Sequence, residues 1–243
     1  MSVDRSTDAL PPSWQRLLAL SGVVFAVLFV VGWFASGGDA PDYAAADQEW
    51  TEWADDNQWK SRIGALAMLL AGFVFLHLAG MIRSVLGAAE TAVRGSAQLA
   101  RVAFAGTLIG IAGMTTAIVM IAAASSEGAD ADPVVSRAVT TASAGPFLVA
   151  AMGFAALLMA AGLLTLQSGV FARWVGIVAL LGAISFLITF LTLIAGTGED
   201  SVFGFGFFPG VLALVIWSIA TSVARYRALA TTARELVATE ADS

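Results

Sequence analysis

A single histidine, His77, stands inside an otherwise apolar run from Ile63 to Ile82. It lies five residues before the end of that run, roughly 7–8 Å deep by helical rise. An ionisable group at that depth is by default a functional candidate, and imidazole can relay a proton or ligate a haem iron. Against this, a neutral hydrogen-bonded ring is far cheaper to bury than a charge, and one histidine cannot ligate haem from both sides within one chain. Ser185, Thr189 and Thr192 form a second constellation, sharing a helix face with Gly182 and Gly196. The face is either a polar path for a solute or a set of hydroxyls bonded to their own backbone or to a neighbouring helix. A third group precedes the histidine run: Tyr43, Ala46, Trp50, Trp53 and Asn57 fall at helical spacing among carboxylates. Tyr43, Trp50 and Trp53 are the candidate contact surface of that segment, with packing against the ends of the bundle as the plainer reading. Asp55 and Asp56 offer oxygen ligands to a divalent cation, but no regular ligand loop surrounds them, and a solvated acidic face accounts for both.

Other chemistry is missing from the chain. There is no cysteine, which removes thiolate catalysis, disulfides, iron–sulfur clusters and cysteine zinc sites. No phosphate-binding glycine–lysine loop and no His-Glu-x-x-His pair occurs. No carboxylate lies within the long apolar runs, so a proton-driven pump or an intramembrane aspartyl protease lacks its acid pair. Serine catalysis has one histidine as base and no nucleophile motif. These absences predict a non-enzymatic protein with no cofactor, no metal and no nucleic-acid partner.

The elements that must position these residues are apolar. Hydrophobic residues make up 58% of the chain, above the roughly 45–50% of a soluble domain. Six stretches approach the ~20 residues that span hydrocarbon as a helix: Leu17–Ala35, Ile63–Ile82, Val102–Ala124, Pro146–Leu166, Trp174–Ala195 and Phe205–Val223. Without water every backbone group must be satisfied within its own segment, so an all-α, six-span polytopic bundle follows. The first run is longer than the core of a cleaved leader and reads as an uncleaved signal-anchor. The domain plan is a tail at 1–16, a membrane domain at 17–223 and a second tail at 224–243.

Charge predicts the orientation. Nine basic residues fall on the two tails and on alternate connections, where six acidic groups leave a formal +3. The other face carries Lys60, Arg62 and Arg137 against twelve acidic groups, formally −9, and together the faces make the chain's −6. The positive-inside rule then places both termini in the cytoplasm.

Between the spans, residues 42–59 read as a short amphipathic helix on the outer surface. Glu90 and Arg94, at i,i+4, extend the second helix beyond the membrane until Gly95-Ser96 breaks it. Asp132 as N-cap and Pro133 at the first helical position predict a helix toward the fourth span, interrupted near Gly145-Pro146. Residues Gly196–Gly210, rich in Gly and Phe, read as a compact loop. Gly106, Gly110, Gly113 and Ala117 form one small-residue stripe, and Gly153, Ala156 and Ala160 another. Such stripes suit close helix packing, within the chain or in a homo-oligomer.

The runs Glu52-Trp53-Ala54-Asp55-Asp56-Asn57, Phe75-Leu76-His77-Leu78-Ala79-Gly80-Met81-Ile82-Arg83, Phe171-Ala172-Arg173-Trp174-Val175-Gly176 and Phe207-Phe208-Pro209 ahead of Trp217 resemble an uncharacterised group of multi-pass actinobacterial membrane proteins. The resemblance covers Leu17 to Val223. It implies six spans and a plasma-membrane location, and it transfers no catalytic residue. The sequence thus predicts a bacterial plasma-membrane scaffold, accessory subunit or envelope-stress component, partnered by the bilayer and by another membrane protein or a second copy. The alternative is a small transporter or channel following Ser185, Thr189 and Thr192 near His77.

Overall fold

Every regular element is a helix in the computed structural model of the chain, which describes residues 12–36, 40–42, 44–191 and 202–241. Helix α1 is Pro12–Ala19 and α2 is Ser21–Ala35, so the first apolar run is broken at Leu20. Helix α3 runs from Asp47 to Arg94 without interruption, 48 residues in all. The separate surface helix expected at 42–59 is therefore the first part of α3, because nothing between Trp59 and Ile63 breaks a helix. At its far end Gly95 takes a positive φ of 70°, and its amide bonds the Thr91 carbonyl at 2.9 Å. That left-handed residue suits glycine and stops the helix where expected.

Helix α4 is Gln98–Ala124, α5 is Pro133–Ala142 and α6 is Ala144–Ser168. Asp132 caps α5, accepting from the Val134 amide at 2.8 Å. The interruption before the fourth span falls at Ser143, just ahead of Gly145-Pro146. Helix α7 is Arg173–Thr189, and α8 runs from Val202 to Ala241. Phe207 and Phe208, inside the sixth span Phe205–Val223 though also in the overlapping loop reading of Gly196–Gly210, are helical, and the last helix continues through most of the segment expected as a tail. Residues 192–201, including Thr192, lie outside the described residues, as does Tyr43.

The helices pack in chain order as a ring: α2 on α3, α3 on α4, α4 on α6, α6 on α7, α7 on α8, and α8 back on α2. Close approach comes from the small-residue stripes. A Cβ on Gly106 would sit 2.6 Å from the Gly153 carbonyl, and one on Gly113 would sit 2.5 Å from the Ala150 amide. The α4 and α6 stripes therefore meet each other inside the chain, which brings their backbones into van der Waals contact. Closure between α2 and α8 uses a buried bond from the Gly22 amide to Ser222 Oγ at 2.9 Å.

Aromatic rings fill the centre. Phe29, Phe25, Phe75, Phe154, Phe186 and Phe207 follow one another with centroid separations from 4.4 to 6.2 Å. The void among Phe25, Phe75 and Phe154 holds about 20 Å³, close to a single water. Large aliphatic and aromatic side chains cover the outside instead: Leu66, Phe73, Leu181 and Leu212 are each at least 60% exposed. A surface of that kind is soluble in hydrocarbon and not in water. Among the described residues four helical stretches are long and apolar enough to cross a membrane: Asp47–Arg94, Gln98–Ala124, Pro133–Ser168 and Gly206–Thr231. Two shorter apolar helices, Ser21–Ala35 and Arg173–Thr189, complete the ring. The architecture is that of an integral membrane helical bundle.

Candidate functional site

One end of the bundle is held by a polar clasp around Trp50. Arg137 of α5 donates to Asp47 Oδ1 at 2.8 Å and to the Ala45 carbonyl at 2.9 Å, with its guanidinium 6.0 Å from the Trp50 ring centre. Gln58 and Arg62 of α3 both donate to the Ser126 carbonyl, at 2.8 and 2.6 Å. Ser136 donates to the Ala124 carbonyl at 2.6 Å. These bonds satisfy carbonyls at and beyond the α4 terminus, which an isolated helix would leave unmade. They tie α3, α4 and α5 together at this clasp end.

Beneath the clasp lies a cavity of about 250 Å³. Its walls are Trp33 of α2, Trp53, Ala65 and Met68 of α3, Ile118, Ile121 and Ala122 of α4, Phe147 of α6 and Phe208 of α8. Trp53 is held edge-on to Trp50 at 5.7 Å, and Trp33 edge-on to Phe208 at 5.6 Å. Three hydroxyl residues interrupt the apolar lining. Ser61 donates to the Ser36 carbonyl at 3.2 Å, and Ser36 donates to the Trp33 carbonyl at 2.7 Å. The third, Thr140, has a buried hydroxyl with no partner among the described residues. An unpaired buried hydroxyl costs about 1–3 kcal/mol, and this one is enclosed by protein with no surface open to the cavity. The aromatic and aliphatic lining suits an apolar guest. Since benzene fits a cavity of about 150 Å³, this one accommodates a fragment of about ten non-hydrogen atoms.

The residues singled out in the sequence go to different places. Trp50 and Trp53 are buried. They pack with Ala54, Ala124 and Ala131 instead of forming an outward contact surface. Ser185 and Thr189 lie against α8: a Cβ on Gly206 would come within 2.6 Å of the Thr189 hydroxyl and 2.7 Å of the Ser185 carbonyl. Thr189 Oγ1 donates to that same carbonyl at 3.4 Å. The described part of the hydroxyl face is thus a packed seam.

His77 faces outward. Its Nδ1 lies 3.2 Å from the Phe73 carbonyl, and its ring meets Phe73 edge-on at 5.1 Å. It borders an open groove with Leu18, Arg225 and Leu229. Arg225 is 19 residues along α8 from Gly206, about 28 Å by helical rise, so His77 and the Ser185–Thr189 seam do not meet.

Helical periodicity missed the cavity because its walls come from six helices. It also misassigned Glu90, whose carboxylate does not pair with Arg94. Glu90 instead accepts from the Leu99 amide at 3.0 Å and the Ala100 amide at 2.9 Å, while Arg94 bonds Gln167. A hint was available in the residue preceding α4, which is Ala97 and has no side chain able to cap.

Comparison of the chain with family models, curated proteins and solved structures found no match in any of the three.

Proposed function

We propose that the chain is a non-enzymatic, six-span protein of the bacterial plasma membrane, of the actinobacterial multi-pass kind its motifs resemble. In this reading the clasp end faces outward and both termini are cytoplasmic, and the distribution of basic residues supports that orientation. Its work is that of an accessory or scaffold protein whose clasp-end cavity holds the apolar end of a lipid-like molecule. The cavity carries the proposal, through its aromatic and aliphatic walls. The filled aromatic centre also favours holding over conduction, and the Gly206 contact makes a solute path along Ser185 and Thr189 the weaker alternative.

A bromine-labelled fatty acid, titrated into the detergent-solubilised protein, tests this through quenching by contact with Trp33 and Trp53. Ala122→Phe, which fills the cavity, should abolish saturable quenching. Equal quenching in wild type and Ala122→Phe would exclude the cavity as the binding site.

A further inference from the structure

At the opposite end, where α3 turns into α4, a second feature has the shape and charge of a lipid headgroup site. An open groove of about 880 Å³ runs between the two helices. Its floor is made of small residues, including Gly80, Gly87 and Ala97, and its two charged groups are Arg83 and Arg101. A Cβ on Gly80 would meet nothing within 4 Å, and one on Gly87 would meet only Ala100 at 3.9 Å, so the space beside both glycines is open.

Among the described residues neither arginine pairs with a carboxylate, the one ion pair being Arg137–Asp47 at the other end. Glu90, the acidic residue nearest along the chain, is buried, and its two oxygens are committed to the Leu99 and Ala100 amides. Arg83 holds its guanidinium 4.9 Å from the Phe104 ring centre, an arrangement that restrains the side chain while leaving donors available.

Depth points to the occupant. Arg83 follows the last residue of one apolar run and Arg101 precedes the first residue of the next. Both therefore sit where hydrocarbon gives way to headgroups. Leu76 and Val102, toward the hydrocarbon from the two arginines, are exposed to it. Guanidinium groups bind phosphate oxygens in pairs, and basic pockets between membrane helices suit anionic headgroups.

We propose that the Arg83–Arg101 groove binds the phosphodiester headgroup of an anionic phospholipid in the adjoining leaflet, with the acyl chains descending over Leu76 and Val102. This site rests on the membrane character of the bundle and is independent of the clasp-end cavity.

The test is retention of phosphatidylglycerol against phosphatidylcholine by the full chain in detergent, read by native mass spectrometry. Wild type should prefer the anionic lipid. Arg83→Gln with Arg101→Gln should bind it roughly thirtyfold more weakly, as two basic groups near a membrane surface imply. Arg173→Gln, at the same end of the bundle but outside the groove, should leave retention unchanged. Gly80→Leu fills the groove without altering charge and should also lose the lipid while keeping the thermal stability of wild type, which covers the case of arginine variants that fail to fold. Equal retention of both lipids by wild type, or unchanged retention in the Gly80→Leu and double-arginine proteins, would overturn the proposal. Complete displacement by millimolar inorganic phosphate would overturn it in favour of a free-anion site.

Discussion

Glu90 reaches across from α3 to cap the first turn of α4, its Oε2 accepting the Ala100 amide at 2.9 Å and its Oε1 accepting the neighbouring Leu99 amide at 3.0 Å. The α4 N-cap position is Ala97, so the two orphan donors are satisfied by a residue upstream on the preceding helix. A carboxylate there also complements the positive end of the α4 dipole. Covalent connection through the short Gly95–Ala97 turn brings the two groups together.

Removal of this cap should be among the most damaging polar substitutions in the chain. Glu90→Ala leaves one buried and one half-buried amide without acceptors and should lower stability by about 2–4 kcal/mol. Glu90→Gln keeps one acceptor and should cost about half as much. Thermal unfolding in detergent, followed by circular dichroism, reads both. An unchanged midpoint in Glu90→Ala would mean that water replaces the carboxylate at no cost.

The α4–α6 seam predicts a contrast between two glycines. A Cβ on Gly153 would lie 2.6 Å from the Gly106 carbonyl, which is backbone and cannot rotate away. Gly153→Val should therefore separate the helices and destabilise the bundle by about 3 kcal/mol or prevent its folding. A Cβ on Gly145 would meet nothing within 4 Å, so Gly145→Ala should be neutral or stabilising by up to about 1 kcal/mol. Expression level and unfolding temperature of the pair decide whether these small residues matter for contact.

Cysteine accessibility distinguishes a sealed seam from an aqueous path, and the native chain contains no cysteine to confuse the labelling. A cysteine at Thr189 should resist a membrane-impermeant thiol reagent added from either side, because Gly206 covers that position. A cysteine at Ser84, in the Arg83–Arg101 groove, should label readily from one side. Reaction at position 189 would show water along the α7 face and favour the solute-path alternative.

Several local features were legible in the chain because their causes are local. Gly95 ends α3 since a left-handed backbone carries little strain without a Cβ, and Asp132 starts α5 since its carboxylate meets free amides two and three residues on. The long helices follow from an equally short-range rule, because hydrocarbon tolerates only an internally bonded backbone. The small-residue stripes on α4 and α6 also marked a close contact, although not which helix would supply the other side.

By itself, then, the sequence determined that this protein is a bundle of membrane-competent helices, and it named the Gly95 stop, the Asp132 cap and the break before Pro146. The tertiary structure alone decided that Trp53 faces a cavity, that His77 faces outward, that Thr189 is sealed by Gly206 and that Glu90 serves α4. The physical reason is that a membrane helix is apolar on every side. In water, hydrophobic periodicity separates core from solvent, but here lipid and core have the same chemistry, so orientation is set by shape complementarity between helices distant in sequence.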